Sequence, residues 1–330
     1  MKRVLCCSLI LLLLLTAFAG CANSSGQLRK VELSEVTRSV FYAPQYVAVS
    51  KGFFAEEGLE INITTAGGSD KAMTALLASQ ADVCLAGPET GVYVYNEGKA
   101  DYPKIVGQLT KRDGSFLVGR TDETDFAWEN LRGSTVIGGR AGGMPIMTLH
   151  YVLRQHGLEP GVDLTVIDNV QFNLMGGAFE GGSGDYVTLF EPTATEFENA
   201  GKGYVVANVG LASGEIPYTV YLVRQDTLQN DREFVEKFLR AVYKAQKWIV
   251  SASDEEIAQA MQPFFPDSTL DSLKIVANSY KKTDSWKQEP VMYEEDFNRL
   301  LDVIDGSGQL SARPDFESLV DNSVAKSVMD

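Results

Sequence analysis

Two carboxylates and one guanidinium occupy positions where a side chain could act on a ligand. Glu89 and Glu191 each sit where an extended run gives way to a helical one, and Arg140 lies inside the loop Gly138-Gly139-Arg140-Ala141-Gly142-Gly143. A carboxylate at such a switch either caps the helix, since acids favour helix N-termini, or reaches into a cleft beyond the strand end. Aromatic residues gather at strand ends as well: Phe41, Tyr42, Tyr186, Phe190 and Tyr218. Their faces can sandwich a planar ring while a few polar groups fix its orientation, or they can simply fill a core. The glycine loop does not match the dinucleotide fingerprint in register, and no lysine follows it as in a P-loop. Gly176-Gly177 and Gly181–Gly184 fail both patterns too, so glycine here lets backbone approach a small ligand or turn tightly. The only two histidines, His150 and His156, are six apart on one helix and cannot form a metal pair at three- or four-residue spacing. No Ser-His-Asp or Cys-His arrangement can be assembled from them. The chain does not read as an enzyme, and neither a metal nor a cofactor is expected.

The elements that must position these residues follow one plan, set by Ser39–Leu59. Val31–Val36 alternates apolar and polar residues as a half-buried strand does. A short aromatic loop with Phe41 and Tyr42 leads into Pro44, which suits the first turn of a helix. That helix carries Tyr46, Val47, Val49, Phe53 and Phe54 and closes at Gly58, before a strand over Leu59–Thr64. The unit recurs with Gly68 and Ser69, where Ser69 or Asp70 is the expected cap, and again with Glu89 and Thr90. It returns after Gly133 with Thr135–Ile137, the glycine loop and a helix from Met144, then with Tyr186–Leu189 followed by Phe190 and Glu191. Lys111-Arg112-Asp113-Gly114 marks a switch between two lobes, and the extended run from Pro217 through Tyr218 to Val223 crosses back. The expectation is an α/β protein of two lobes, each a mixed, mostly parallel sheet flanked by helices, with a helical C-terminal region. Residues 31–113 plus 217–330 form one lobe and 114–216 the other. The expected ligand contacts lie on the loops: Phe41, Tyr42 and Pro44; Gly68 and Ser69; Glu89 and Thr90; Arg140, Gly142, Gly143 and Met144; Tyr186, Phe190 and Glu191; and Tyr218.

Met1-Lys2-Arg3 and the uncharged Val4–Gly20 read as a signal peptide (residues 1–20), since about 20 apolar residues are needed for a comfortable membrane span. Phe18-Ala19-Gly20-Cys21 resembles the bacterial lipobox, which implies cleavage before Cys21 and lipid on its thiol. Residues 21–30 read as a tether. Of 330 residues, 29 are basic and 44 acidic; losing Lys2 and Arg3 leaves 27 basic residues and a net charge of −17. Such acidity excludes nucleic acid or anionic lipid bound through a basic face, so attachment to the membrane falls to the lipid. Cys6 and Cys7 leave with the signal, and Cys84, in an apolar run, reads as a small buried hydrophobe rather than half of a disulfide.

These residues also carry a family resemblance. Ala43-Pro44 through Ala48, the run Lys51-Gly52-Phe53-Phe54-Ala55-Glu56-Glu57-Gly58-Leu59, Ala81-Asp82-Val83, Gly138–Pro145, and Asp185-Tyr186 leading to Phe190-Glu191-Pro192 are similar to ABC-importer solute-binding lipoproteins. The branch is the one that includes nitrate, sulfonate, taurine and thiamine-pyrimidine-precursor binders, of the periplasmic-binding-protein type 2 fold. The resemblance covers nearly the whole mature chain. It implies a monomer on the extracytoplasmic side of a bacterial membrane, closing on a small molecule by hinge motion and docking a permease and its ATPase. A related pyrimidine synthase needs further histidines and cysteines, which are absent. A nitrogen heterocycle would use stacked aromatics with Glu89 or Glu191 accepting N–H bonds, and the loop chemistry favours it. An oxyanion would use helix N-termini with Arg38, Arg112 or Arg140. A ligand sensor or an anchored enzyme is the reading from another class.

Overall fold

The computed structural model describes residues 27–98 and 100–330, so the signal peptide and Cys21 lie outside the described residues. The alternating run forms β1 (Arg29–Glu35), with Val31 and Leu33 turned into the core. Arg29 and Lys30, expected to end the tether, instead pair with Leu59 and Glu60 of β2 (Leu59–Thr65). On its other side β1 pairs in parallel with β3 (Val83–Ala86). β10 (Thr219–Val223) then enters between β3 and β4 (Lys104–Thr110), antiparallel to both. The first sheet therefore has the order β2-β1-β3-β10-β4.

The second sheet repeats the plan. β5 (Ser115–Gly119) is antiparallel to β8 (Tyr186–Phe190) and β9 (Tyr204–Asn208), and β6 (Thr135–Ile137) is parallel to β7 (Thr165–Ile167) and β8. Its order is β7-β6-β8-β5-β9, so in both sheets the fourth position holds the one strand that runs against the rest. Those two strands, β5 and β10, are the first that the chain lays down after each crossing between the sheets. The architecture is the α/β, two-sheet arrangement that the strand–loop–helix repeats predict.

Two local expectations change. The helix after Pro44 is split into Ala43–Ser50 and Phe53–Glu56, because Gly52 between them adopts φ 76°, a left-handed backbone that glycine reaches without a Cβ penalty. The Ser69–Leu77 helix is capped by Gly68 without a side-chain bond, not by Ser69 or Asp70. The long amphipathic helix appears over Arg232–Ser251, with Phe234, Phe238, Val242, Ala245 and Ile249 buried. Among the described residues no helix is long and apolar enough to cross a membrane.

The crossing point is packed with rings. Phe41 lies 5.6 Å from Phe190, 5.7 Å from Tyr218 and 5.3 Å from Tyr280, ring centre to ring centre. The Tyr280 hydroxyl donates to the Gly114 carbonyl at 3.0 Å, and Glu191 N–H donates to the same hydroxyl at 3.0 Å. Asp113, on the outgoing segment, is buried against the Val209–Ser213 helix, where a Cβ on Gly210 would run into the Asp113 carbonyl. Backbone cannot swing aside as a flexible side chain does. Gly210→Ala is expected to cost about 2–3 kcal/mol, read as a lower urea midpoint. An unchanged midpoint would mean that the crossing segment shifts freely.

Candidate ligand-binding cleft

Loops from the two lobes face one another across a cavity of about 250 Å³. From the first lobe come Val36 after β1, Gly67–Asp70 at the start of the Ser69–Leu77 helix, and Glu89, Thr90 and Tyr93 on the Glu89–Asn96 helix that follows β3. From the second come Gly139–Gly143, which lead from β6 into the Met144–Gln155 helix, with Pro145 and Phe172. Strand ends and helix N-termini thus converge where an open α/β sheet places its ligand. Beyond Phe172 a second cavity of about 310 Å³ is walled by Arg38, Ser39, Gly176, Phe190 and Glu191 among others.

Glu89 dominates the first cavity. It is 1% exposed, and its Oε2 has no hydrogen-bond partner among the described residues. Its own N–H and that of Met144, in the first turn of the facing helix, favour the charged carboxylate, but burial outweighs them and pushes the pKa to about 8. The side chain folds back over Gly87, where any Cβ would collide with the carboxyl group. Gly87 is thus the residue that lets Glu89 turn inward. Thr90 Oγ1 donates to the Gly87 carbonyl at 2.7 Å and fixes the same turn.

Tyr93, one helical turn beyond Glu89, ties the lobes together: its hydroxyl donates to the Gly142 carbonyl at 2.8 Å. Removing that bond in Tyr93→Phe is expected to cost about 1 kcal/mol of closure, seen as a weaker affinity for any ligand held between the lobes. An unchanged affinity would show that this bond is made equally in the open form. Arg140 Nη1 and Asp70 Oδ2 meet across the cleft at 3.5 Å, with side chains 49% and 59% exposed. Such an exposed pair contributes about 1 kcal/mol at most, but it matches the arginine's charge.

Of the residues singled out in sequence, Gly68, Ser69, Glu89, Thr90, Arg140, Gly142 and Gly143 line this cavity, and Phe190 and Glu191 line the second. Met144 contributes its backbone N–H rather than its side chain. Glu191 serves as a cap: its Oε2 accepts the Thr195 N–H at 2.9 Å and its Oε1 the Thr195 hydroxyl at 2.8 Å. Phe41, Tyr42, Pro44 and Tyr218 are buried around the crossing point and line neither cavity. Tyr186 is elsewhere. It begins β8, paired with Gly119, and its hydroxyl donates to Glu123 Oε1 at 2.6 Å. Four strand residues, about 13 Å, separate it from the ligand end where Phe190 lies. Sequence reasoning missed Asp70, Tyr93 and Phe172. The four-residue spacing that puts Tyr93 on the same helix face as Glu89 was a signal for one of them.

Residues 40–256 match the family described as NMT1/THI5 like. The chain belongs to that family. Similarity in sequence extends to the "Putative binding protein YtlA" of Bacillus subtilis (strain 168), 41% identical over 315 residues, 96% of this chain and 94% of that protein. Solved structures share the fold at low identity. The ligand-binding component of an ABC-type import system from Staphylococcus aureus, with zinc bound, has TM-score 0.74 and 13% identity over 91% of this chain and 99% of that one. The periplasmic nitrate-binding protein NrtA from Synechocystis PCC 6803 has TM-score 0.70 and 17% identity over 92% of this chain and 88% of that one. The desulfurization enzyme DSZB also superposes, with TM-score 0.62 and 13% identity over 91% of this chain and 98% of that one. The type 2 periplasmic-binding-protein fold of this NMT1/THI5-like chain is therefore one on which both binding proteins and an enzyme are built.

Proposed function

We propose that this chain is an extracytoplasmic solute-binding lipoprotein, held at the membrane by lipid on Cys21, that closes on a small molecule and delivers it to an ABC importer. Its ligand is a nitrogen heterocycle with N–H donors, of the thiamine-pyrimidine-precursor kind. One observation carries the ligand class: a buried carboxylate oxygen of Glu89, without a partner among the described residues, lines the interlobe cavity. A buried acceptor is costly unless a donor meets it, and a ligand N–H is the group that would. Tyr93 from the first lobe and Phe172 from the second add aromatic rings to the cavity lining, the residue type that packs against a planar ligand. Family membership and the binding proteins among its relatives support the transport role.

An oxyanion finds less here. The Met144 helix N-terminus that would attract it already faces the Glu89 carboxyl, and Arg140 is matched by Asp70. Among the described residues lining this cleft, no hydrogen-bonded nucleophile–base pair supports catalysis. The test is thermal-shift screening of the full chain in detergent micelles against two solute sets, aminopyrimidines and thiamine precursors on one side, nitrate, taurine and alkylsulfonates on the other. A ligand that binds only the folded state raises the melting temperature. Shifts confined to the second set would sink the heterocycle reading. Turnover of any bound solute would sink the transport reading.

A further inference from the structure

The Glu89 carboxyl stands between the lobes. It opens the Glu89–Asn96 helix on one side, and the Met144 N–H that favours its charge opens the Met144–Gln155 helix on the other. Both helix starts leave N–H groups without intrahelical partners, so negative charge between them is stabilised. Burial opposes that charge, and among the described residues no cation pairs with it. Tyr42 comes from the aromatic turn, Cys84 from β3, Tyr93 from Glu89's own helix and Tyr218 from the returning segment; burial holds all four neutral. The charges that line the same cavity, Asp70 and Arg140, face each other.

We propose that Glu89 is an exchange site: a proton occupies it when the lobes close alone, and a monocationic N–H donor of the amidinium or protonated-aminopyrimidine class replaces that proton when they close on ligand. This rests on the solute-binding reading and adds the charge of the ligand and its coupling to closure. Opening the cleft hydrates Glu89 and returns it to the ordinary carboxylate range, whereas closing buries it and raises its pKa to about 8. The closed form therefore binds the proton more tightly, and protons favour closure. As pH rises from the ordinary carboxylate range to about 8, the closing equilibrium falls by up to about tenfold per pH unit, then levels. A cation at Oε2 removes the need for the proton. One cation enters, one proton leaves to water, and the ionised carboxylate gains a charge-assisted bond from Met144 N–H across the lobes.

Hydrogen exchange of the 139–147 backbone, followed by mass spectrometry on the full chain in detergent micelles, reads closure. After correction for intrinsic exchange, protection without ligand is expected to fall several-fold per unit between about pH 5 and 8 and to level above that. Glu89→Gln, neutral throughout, is expected to show a flat profile. Benzamidine, an aromatic amidinium, is expected to restore protection at pH 8 and, at pH 6, to release protons in proportion to the fraction of chains closed and protonated before it binds, up to one per molecule bound. That release is read from binding heats in two buffers of different ionisation enthalpy. Benzamide, its neutral isostere, is expected to do neither. A flat wild-type profile, an equally steep one in Glu89→Gln, or benzamide matching benzamidine overturns the exchange. The pH profile needs no solute, so it stands or falls apart from the screening for a ligand. Loss of every thermal shift would count against the solute-binding reading alone.

Discussion

Replacing Glu35 with alanine is expected to cost about 3 kcal/mol of folding stability, measured as the wild-type minus variant difference in urea unfolding. Glu35 ends β1 and is fully buried. Its Oε2 accepts from Gln45 Nε2 at 3.0 Å and the Tyr46 hydroxyl at 2.7 Å, and its Oε1 from Thr65 Oγ1 at 2.9 Å. Arg38 Nε lies 3.0 Å from Oε1. Alanine would leave the buried donors of Gln45 and Tyr46 without an acceptor, and each such loss costs about 1–3 kcal/mol. Arg38 is a third exposed and can turn to water, so it adds little. Glu35→Gln keeps an acceptor and is expected to cost about 1 kcal/mol. Burial outweighs Arg38 and the three donors and leaves the Glu35 pKa above the usual carboxylate value. A raised folded-state pKa gives stability that is present at low pH and lost as pH rises through it. The gap between wild type and Glu35→Gln should therefore move in favour of glutamine as pH increases above the carboxylate range. A gap independent of pH would show that Glu35 keeps its ordinary titration in the fold.

The same residue shows what the sequence could disclose. Alternation puts Val31, Leu33 and Glu35 on one face of β1, and two of these are plain core residues, so the third was marked as buried by its register. The partners were not marked, because Gln45, Tyr46 and Thr65 come together only when a helix and a neighbouring strand dock. The repeated strand–loop–helix units made the two-sheet architecture legible for a similar local reason. The insertion of β10 between β3 and β4 was not legible, since nearest-neighbour pairing would have put β4 beside β3. Glu89 and Glu191 look alike in sequence, each at a strand-to-helix switch. What separates them is four residues downstream: Thr195 turns back to donate to both Glu191 oxygens, while Tyr93 reaches across the cleft to Gly142 and leaves Glu89 Oε2 without a partner among the described residues. The aromatic pattern could not separate Tyr186 from Phe190, because a ring at the start of a strand and a ring at its end carry the same composition but lie at opposite ends of the sheet.

Glu89→Gln is expected to weaken the solute that gives the largest thermal shift by about 100-fold, measured by calorimetric titration, close to 2.7 kcal/mol. A hydrogen bond to a charged acceptor contributes about 1.5–3 kcal/mol, and the glutamine amide would also turn an N–H toward the ligand's own N–H. Arg140→Ala is expected to change the same affinity less than about threefold, since the Arg140–Asp70 contact is exposed and its charge already matched. The two substitutions separate the ligand classes by their ratio. An N–H-donating heterocycle needs the carboxylate and tolerates loss of the guanidinium. An oxyanion would bind beside the Met144 helix N-terminus only against Glu89's charge, so glutamine would leave its affinity equal or improve it while alanine at position 140 reduced it. A loss of affinity in Arg140→Ala exceeding that in Glu89→Gln would therefore place the ligand's charge at the glycine loop, with Glu89 reduced to a buried acid that holds two helix starts together.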